Sequence, residues 1–388
     1  MVICLWVCLF LVFYTFFGYG ILLLALVKLR RLIKGQRPLA DNDGNWPTVT
    51  LVVSAYNEEN CIAEKIENSL SLSYPADKLK YLFVTDGSTD STPDIVSRYP
   101  QVTLMHRPER KGKIAAIDRA MHEVDAEIVI FTDANTMLNK DALTNICRHY
   151  YDAKVGAVSG EKRVHIEKVS DATAGEGFYW KYESKLKTWD SELYSVVGAA
   201  GELFSVRRSL FVPVPPDTIL DDFMISLLIA QKGYRIIYEP AAYATETGSE
   251  NIQEELKRKI RIAAGGIQSI IRLKGLLNPF GNFVLCFQYI SHRVLRWTIT
   301  PFLMILAFVL NGLIAFRYPG NFYKALFALQ TLFYVASLLG WLLEKRQVKI
   351  KALFIPYYFC MMNYAVMAGI KRYFMKQQSV TWEKSKRK

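Results

Sequence analysis

The chain has 388 residues, of which 51% are hydrophobic, and a formal net charge of +12. This length can bury one large domain or two ordinary ones. Much of the positive charge lies in residues 28–37 and 371–388, beside apolar segments, where anionic lipid headgroups account for it, so the charge alone does not indicate nucleic-acid binding. The six cysteines show no paired spacing, which argues against a disulfide framework and a zinc site.

The first apolar segment, residues 2–27, contains no charged residue and exceeds the roughly 20 residues that span a bilayer. No basic region precedes it and no small-residue cleavage site ends it, so we predict an uncleaved membrane helix and not a signal peptide. Five Lys or Arg residues follow in 28–37, which places this end of the helix in the cytoplasm and Met1 outside.

The following segment begins with alternating strand-like and helix-like patterns. Strands are predicted at "VTLVVSA", "YLFVTD", near Val102 and at "EIVIF", and helices at about Glu58–Leu72, after "STPD" with Ser91 or Thr92 as the N-cap, at about Lys113–Val124 and near Lys140. This alternation predicts a parallel sheet with helices on both faces. The chain has no GxGxxG after a strand and no P-loop, which removes support for a dinucleotide oxidoreductase and a P-loop ATPase.

Polar clusters follow three of the predicted strands. Asn57 and Glu58 follow the first strand, Asp86 ends the second and Asp133 ends "EIVIFTD". If the strands are parallel, these side chains converge on the edge of the sheet where ligands bind. Considered alone, Asp133 is most simply a residue that caps a turn. Several acids on one edge of the sheet instead indicate a binding site for ribose hydroxyls, phosphates and a metal.

Three more apolar segments lie near the C-terminus, at 299–316, 322–343 and 352–370. The loop "RYPGN" has little charge and is expected outside the cell, whereas the basic loop "EKRQVKIK" is expected in the cytoplasm. If residues 352–370 cross the membrane, they should therefore end outside. The tail after them, however, carries seven Lys or Arg and one Glu, which is typical of the cytoplasmic side. Either the tail breaks the positive-inside tendency or this segment, with Pro356 near its start, is re-entrant. We predict four regions: an N-terminal transmembrane helix (1–30), a basic linker (31–46), a cytoplasmic domain (47–280), and a C-terminal membrane domain (281–388) with an interfacial segment and two or three membrane segments.

Seven motifs occur in an order that resembles the membrane-bound branch of glycosyltransferase family 2, which includes cellulose, chitin and hyaluronan synthases and exopolysaccharide enzymes. The motifs are "AYNEE", "VTDGSTDST", "RKGK", "FTDANT", "GAAGELFSVRR", "LDDF" and "RKIRIAAG". The resemblance covers residues 49 to about 270 by motif. It implies an α/β GT-A (Rossmann-like nucleotide-diphospho-sugar transferase) domain with flanking transmembrane helices, and inverting transfer of a hexosyl or N-acetylhexosaminyl group.

The resemblance also implies a donor site. Tyr56 and Glu58 would line the nucleotide pocket, and Asp86 would contact the base or ribose; the alternatives are a polar helix start for the first two and a cap for Asp90. Lys111 and Lys113 flank Gly112 at a helix start, a fit for phosphate, or else form a solvated basic loop.

A metal, Mn²⁺ or Mg²⁺, would neutralise the diphosphate leaving group. Asp133 matches the first aspartate of the family's DxD motif, while Asn135 stands at the third position, where an amide oxygen can still bind a hard ion without the second negative charge.

The acceptor side is implied by Gly198 and Gly201, which allow close backbone approach to a sugar, although this stretch can also be only a turn before a strand. Asp222 matches the family's catalytic aspartate, the general base for the acceptor hydroxyl, and neighbouring Asp221 would keep its proton affinity up. The simpler interpretation of the pair is a helix cap and a first-turn acid.

The clearest departure from the family concerns the Q-x-x-R-W pattern of its polymerising members. Arg258 stands where Gln would be and Ile262 where Trp would be, while Arg261 keeps its position and can hold the diphosphate; without the motif Arg261 is equally a basic residue on a membrane-facing helix. The missing Trp removes a surface on which an acceptor sugar can stack, although Tyr179 and Trp180 offer substitutes.

Together these observations predict a metal-dependent glycosyltransferase in the plasma membrane, with its catalytic domain in the cytoplasm. It would move a sugar from a nucleotide-diphosphate donor to a lipid-linked or saccharide acceptor, adding one or a few sugars. A processive polysaccharide synthase is the alternative. A catalytically inactive scaffold of a polysaccharide assembly is disfavoured, because it would not need Asp86, Asp133, Asp222 and Arg261 together.

Overall fold

The structure, a computed structural model, describes residues 1–35, 44–165, 173–247, 251–346, 348 and 350–377, with the side chains of 165 and 173–179 left out. The basic linker and the C-terminal tail that the sequence singles out therefore lie partly outside the described residues.

One mixed sheet of eight strands forms the centre of the described domain, in the order β3-β2-β1-β4-β7-β6-β8-β5. The strands are β1 (Val49–Ala55), β2 (Leu79–Asp86), β3 (Thr103–Arg107), β4 (Ile128–Asp133), β5 (Met137–Leu138), β6 (Val155–His165), β7 (Leu203–Arg207) and β8 (Arg235–Thr247). In β1 and β4 most residues are buried on both faces, as expected for strands in the middle of a sheet covered by helices.

The expectation of a parallel sheet holds for the first half only. Strands β1 to β4 are parallel to one another. In the second half β7 runs antiparallel to β4 and β6, β6 is parallel to β8, and β5 is antiparallel to β8. The alternating pattern that supports the prediction ends near β4, so no local pattern predicts the direction of the later strands.

Helices cover both faces of the sheet and continue towards the C-terminus. The helices are α1 (Val2–Lys34), α2 (Ile62–Leu70), α3 (Thr92–Ser97), α4 (Lys113–Glu123), α5 (Ala142–Cys147), α6 (Thr173–Leu193), α7 (Asp221–Gln231), α8 (Ile252–Arg272), α9 (Phe283–Tyr289), α10 (Leu295–Trp297), α11 (Thr300–Arg317), α12 (Asn321–Lys345) and α13 (Lys351–Phe374). One core cluster contains side chains of α4, α7 and α8, and a second contains side chains of α2 and α5. Hence the two faces of the sheet are buried by different helices.

Four described helices are long and apolar enough to cross a membrane: α1, α11, α12 and α13. Their cross-contacts differ. The first half of α1 packs against α11 through Leu5, Cys8, Ala307 and Ile314, whereas its second half packs against α6 through Tyr19, Leu23 and Leu186. The helix therefore connects the membrane-type helices to the α/β domain.

Helix α13 runs alongside α8, a helix of the α/β domain. Near the start of both helices, Ile252 and Leu256 contact the cluster around Phe354. Further along, a Cβ atom on Gly369 would lie 2.6 Å from the Cβ of Ala263. The two helices are thus parallel neighbours over most of their length, and Pro356 lies inside a continuous helix.

Candidate active site

A buried lysine on α2 forms hydrogen bonds with both sides of the turn after β4. Lys65, fully buried on α2, donates from Nζ to Thr132 Oγ1 at 3.1 Å and to the Thr136 carbonyl at 2.6 Å. Burial lowers the pKa of Lys65 to about 7. These two hydrogen bonds tie both sides of the turn to α2 and fix the position of Asp133 at the strand's carboxyl end. Sequence reasoning did not identify Lys65, because a lysine in an amphipathic helix is normally exposed.

Lys113, the first residue of α4, joins two carboxylates. Its Nζ donates to Asp133 Oδ1 at 2.8 Å and lies 3.6 Å from Asp221 Oδ2. Burial opposes the charge of Lys113, but Asp133 and Asp221 outweigh burial and raise its pKa. The end of β4, the start of α4 and the start of α7 therefore meet at one point.

Asp222 follows Asp221 in the first turn of α7 and has a different environment. A Cβ on Gly201 would lie 3.2 Å from Asp222 Oδ2, so this glycine leaves open the space in front of the carboxylate. Burial and the negative charge of Asp221 raise the pKa of Asp222 to about 7, against the opposing effect of Lys113. A carboxyl group with such a pKa can accept a proton near neutral pH.

Asp86, at the end of β2, orders the loop that carries the two lysines. Its Oδ2 accepts from the backbone N–H groups of Lys111 at 2.8 Å and Gly112 at 2.6 Å. These amides, expected to face phosphate, thus bind Asp86 in this structure. The other oxygen, Oδ1, is buried without a hydrogen bond from the described residues and lies 3.7 Å from Arg119.

Tyr56 and Glu58 lie in a neighbouring region on the same sheet edge. Arg110 stacks over the Tyr56 ring at 3.9 Å, and the Glu58 carboxylate is 3.3 Å from Cys61 Sγ. Asp90 accepts hydrogen bonds from Thr92 at the start of α3, so it has the capping role that the sequence left open.

The two arginines of the segment "RKIRI" lie on α8. Arg258 lies 3.1 Å from Glu255 and 3.7 Å from Glu246; burial opposes its charge, but the surrounding carboxylates raise its pKa. Burial lowers the pKa of Arg261, while Asp221, Asp222 and Asp133 act in the opposite sense. Arg261 therefore faces the acidic group, whereas Arg258 is engaged in ion pairs within the protein.

Several of these groups line one cavity of about 620 Å³. Among the predicted site residues, the lining includes Lys111, Lys113, Asp133, Gly201, Asp221, Asp222, Arg258 and Arg261. Tyr56, Glu58, Asp86, Asn135 and Gly198 are not part of it. Gly198 has φ of +97° and a Cβ there would lie 2.2 Å from the Phe223 ring, so the structure requires glycine for packing.

The cavity also has walls that sequence reasoning missed. They include Lys162, Glu183, Lys187, Glu202, Arg293, Trp297, Met362, Ala365, Val366 and Arg372. Of these, Glu202 stands inside a motif that the sequence singled out, whereas the others lie outside every motif. Ile262 lines the cavity, as do the aromatic side chains Trp180 and Trp297, while the side chain of Tyr179 lies outside the described residues.

The residues present fit a hard divalent ion. Asp133 contributes a partly buried carboxylate, and Asp221 Oδ2 is buried and accepts no hydrogen bond from the described residues. Within the described ranges, no group of three or more His, Cys, Asp and Glu side chains is arranged so that it could hold a metal ion by itself. An ion here would accordingly take only a few protein oxygens, which is typical of magnesium-type sites completed by substrate phosphates and water.

The chain is similar to known glycosyltransferases. The family "Glycosyl transferase family 2" matches residues 50–212. A poly-beta-1,6-N-acetyl-D-glucosamine synthase of Staphylococcus aureus (strain MSSA476) is 25% identical over 231 residues, which cover 58% of this chain and 56% of the synthase. A probable glycosyltransferase, YdaM, of Bacillus subtilis (strain 168) is 24% identical over 255 residues, 60% of this chain and 58% of YdaM.

A solved structure matches nearly the whole chain. The mannosyltransferase PcManGT from Pyrobaculum calidifontis, in complex with GDP-Man and Mn²⁺, superposes with a TM-score of 0.70 and 25% identity, covering 97% of this chain and 100% of that chain. The curated relatives are matched over little more than half their own length. The fold is therefore GT-A, and residues 50–212 of this chain match the family "Glycosyl transferase family 2".

Proposed function

We propose that this protein is an integral-membrane glycosyltransferase of polysaccharide or glycan biosynthesis that uses a nucleotide-diphosphate sugar and a lipid-linked or saccharide acceptor. The observation that carries the proposal is the meeting of Asp133, Lys113, Asp221 and Asp222 in one cavity of a family 2 domain. The similarity to a poly-beta-1,6-N-acetyl-D-glucosamine synthase and to a mannosyltransferase solved with GDP-Man supports it.

The donor side is formed by the strand ends. Asp86, Tyr56 and Glu58 would hold the nucleoside, while Lys111, Lys113 and Arg261 would face the diphosphate. A divalent ion held by Asp133, with Asn135 on the same turn, would neutralise charge on the leaving group. Lys113 adds positive charge at the same place.

On the acceptor side Asp222 removes the proton. Its carboxylate takes the proton of the acceptor hydroxyl as that oxygen attacks the anomeric carbon, and the bond from that carbon to the diphosphate oxygen breaks with its electron pair. Attack opposite the leaving group inverts the anomeric centre. Gly201 leaves room for the acceptor beside Asp222.

The catalytic domain lies in the cytoplasm in this proposal, because the basic residues after the first apolar segment mark that side. The same helix packs its second half on α6 of the α/β domain, and Arg31 pairs with Glu192 on α6 at 2.6 Å.

Asp222→Asn tests the proposal. Turnover should fall by at least about 100-fold, the usual effect of removing a general base, because the amide cannot accept the proton. Binding of the nucleotide sugar, measured by calorimetry on the purified chain, should be unchanged. Asp125→Asn, on an exposed acid paired with Lys80, serves as the matched control. An equal loss of donor affinity would assign Asp222 to the donor pocket instead.

One observation favours a second candidate, a processive polysaccharide synthase, namely the similarity to the Staphylococcus synthases. We favour short products, because Ile262 replaces the family Trp in the cavity wall.

A further inference from the structure

Lys65 belongs to a network of buried polar side chains that no step of the proposed reaction uses. Its ammonium group donates to Thr132 Oγ1 and to the Thr136 carbonyl. The two hydroxyl oxygens of Thr132 and Thr136 lie 3.0 Å apart, and Thr136 Oγ1 donates to the Asp133 carbonyl at 2.9 Å. All three side chains are buried. Burial of polar groups is unfavourable unless they are hydrogen-bonded, and here the hydrogen bonds converge on the backbone around Asp133.

Helix α2 also holds the far end of the segment that carries the candidate metal ligands. Asn68, three residues after the lysine on this helix, donates from Nδ2 to the Leu138 carbonyl at 2.9 Å and accepts from the Leu138 N–H at 2.8 Å. Residues three apart lie on the same face of a helix. One face of α2 therefore holds the segment 132–138 at both ends, with Asp133 and Asn135 between them.

Thr132 connects this segment to the loop 198–202, which precedes β7. Its hydroxyl donates to the Glu202 carbonyl at 2.9 Å. A threonine hydroxyl has one hydrogen and two acceptor positions, and an ammonium group can only donate. The hydrogen bond from Lys65 therefore leaves the hydrogen of Thr132 for the Glu202 carbonyl. Strand β7 begins at Leu203, so this hydrogen bond extends the link between β4 and the loop by one residue beyond the strand.

The loop 198–202 lies next to the proposed base. Gly201 and Glu202 line the cavity together with Asp133 and Asp222, and a Cβ on Gly201 would lie 3.2 Å from Asp222 Oδ2. The network thus reaches from the candidate metal ligands to the loop beside the base. Because a displacement of about 1 Å between reacting groups can lower a rate about 100-fold, a rigid connection between these two segments matters for transfer.

We propose that Lys65 and Thr132 are positioning residues that hold the segment 132–138 and the loop 198–202 at a fixed separation. This inference rests on the proposed function, in which the segment binds a divalent ion and the loop faces the acceptor. Neither side chain lines the cavity, so each acts through the backbone to which it is hydrogen-bonded. Loss of the network should therefore weaken metal binding more than nucleotide binding.

Two variants interrupt the network, and each has a matched control. Thr132→Val keeps the β-branched shape without the hydroxyl, and Lys65→Met keeps an unbranched side chain without the ammonium group. Thr50 on β1 is buried and its hydroxyl has no hydrogen bond among the described residues, so Thr50→Val is the first control. Ser69 on α2 is buried and donates to the Lys65 carbonyl of its own helix at 2.7 Å, so Ser69→Ala is the second.

Metal binding is measured on the full chain in detergent micelles, by titration of Mn²⁺ in the presence of whichever of UDP, GDP and TDP the unchanged protein binds most tightly. Thr132→Val and Lys65→Met should each weaken Mn²⁺ binding about tenfold, the lower end of the effect of residues that orient metal ligands. Affinity for the same nucleotide in excess EDTA should stay within about twofold. The double variant should bind Mn²⁺ about as tightly as the weaker single variant, because both changes interrupt one network. The controls should behave like the unchanged protein.

Hydrogen exchange of backbone amides, followed by mass spectrometry without any ligand, tests the connection itself. Thr132→Val removes the hydrogen bond to the loop, so exchange should become at least about threefold faster in residues 198–203 as well as in 132–138. Thr50→Val should change exchange in neither segment. This readout depends neither on a nucleotide nor on transfer.

Unchanged Mn²⁺ affinity in both variants would overturn the proposal, and so would an equal loss of nucleotide affinity in EDTA, which indicates general damage to the fold. Unchanged exchange in residues 198–203 of Thr132→Val would overturn the connection to the loop. If Lys65→Met does not fold, Thr132→Val decides alone. If the unchanged protein binds none of the three nucleotides with Mn²⁺, the proposed function fails, whereas faster exchange in both segments would leave the connection standing.

Discussion

Adjacent carboxylates at the start of α7 differ in what surrounds them. Asp221 lies 3.6 Å from the ammonium of Lys113. Asp222 faces the open space next to Gly201, and burial together with Asp221 raises its pKa to about 7. Two acids in unlike environments can take different roles, so one can shape the charge of the site while the other accepts a proton.

This difference predicts how the rate depends on pH. With its pKa raised to about 7, Asp222 is protonated at lower pH and cannot act as a base. The value of kcat/KM should therefore fall about tenfold for each pH unit below about 6.5 and reach a plateau above about 8. A pH profile that stays flat down to about pH 5 would contradict the role of Asp222.

Asp221→Asn provides the matched test of the cause. Because the charge of Asp221 helps to raise the pKa of Asp222, its removal should move the inflection of the profile to lower pH. An unchanged inflection would show that the charge of Asp221 does not raise the pKa of Asp222, and a shift to higher pH would contradict the assigned effect of Asp221.

Asp133 is the residue on which the metal prediction depends. Asp133→Ala should abolish transfer and Mn²⁺-dependent donor binding, since the strand end then lacks its carboxylate, and excess EDTA should have the same effect on the unchanged protein. The protein should still fold, because Lys113 keeps Asp221 as a second carboxylate partner. Full turnover in EDTA would rule out the metal role, and Asp125→Ala is the surface control.

The residues that could be found from sequence are those next to strand ends and helix starts. Asp133, Lys113 and Asp222 each stand in a short motif, and the structure brings them to one cavity; their roles stay predictions. Trp297 and Arg372 could not be found this way, because they reach the cavity from segments far along the chain. A basic residue at the end of an apolar helix has an ordinary explanation in lipid headgroups.

At the scale of elements, the contact between α8 and α13 depends on a missing side chain. A Cβ on Gly369 would lie 2.6 Å from Ala263 Cβ and 2.8 Å from the Ala264 nitrogen. Such distances are too short for ordinary packing, so the helices approach this closely only with glycine at 369. This contact keeps α13 against the helix that carries Arg261.

Gly369→Ala tests this contact. Alanine is the better helix former by about 1 kcal/mol, so a neutral environment would raise stability. Overpacking costs about 1–3 kcal/mol, and we therefore expect a lower unfolding temperature of the detergent-solubilised chain together with reduced transfer. Gly281→Ala is the control, because the nearest atom to its Cβ is 3.7 Å away. A raised unfolding temperature for Gly369→Ala would show that the helices do not depend on this close approach.

The order of elements shows where sequence patterns stop being informative. Strands β1 to β4 alternate with helices, and their parallel arrangement follows from that pattern. Strand β7 lies between β4 and β6 although it comes later in the chain. Its antiparallel pairing depends on contacts with both neighbours, which no local pattern records.

At the scale of the whole molecule, the packing of α13 bears on which side of the membrane its C-terminal end lies. A crossing by residues 352–370 would place this end outside, whereas the basic tail favours the cytoplasm. Helix α13 contacts the candidate membrane helices α1 and α12 through Phe359 and also lies against α8, and it places Arg372 in the cavity wall. This arrangement favours the same side of the membrane for the catalytic domain and the end of α13, in agreement with the positive-inside tendency.

The number of helices also bears on product length. A processive enzyme retains its acceptor between additions, which requires a stacking surface and enough membrane helices to enclose a polymer. Only four candidate spans occur among the described helices, and Ile262 stands in the cavity wall where the family Trp would be. Stacking beyond simple burial contributes on the order of 1 kcal/mol, so its loss should shorten the time that a product stays bound.

We therefore expect the purified protein to make products of one or a few added sugars, whose length grows with enzyme concentration. Trp180 and Trp297 also line the cavity and can stack with a sugar, so the prediction is tested with Ile262→Trp alongside the unchanged protein. In pulse-chase labelling, the unchanged enzyme should distribute label over most acceptors, and Ile262→Trp should lengthen the products if the surface at 262 limits retention. Polymer of high molecular weight at early times, with most acceptors unmodified, would instead establish a processive synthase that holds its product by Trp297, Trp180 or a second copy of the chain.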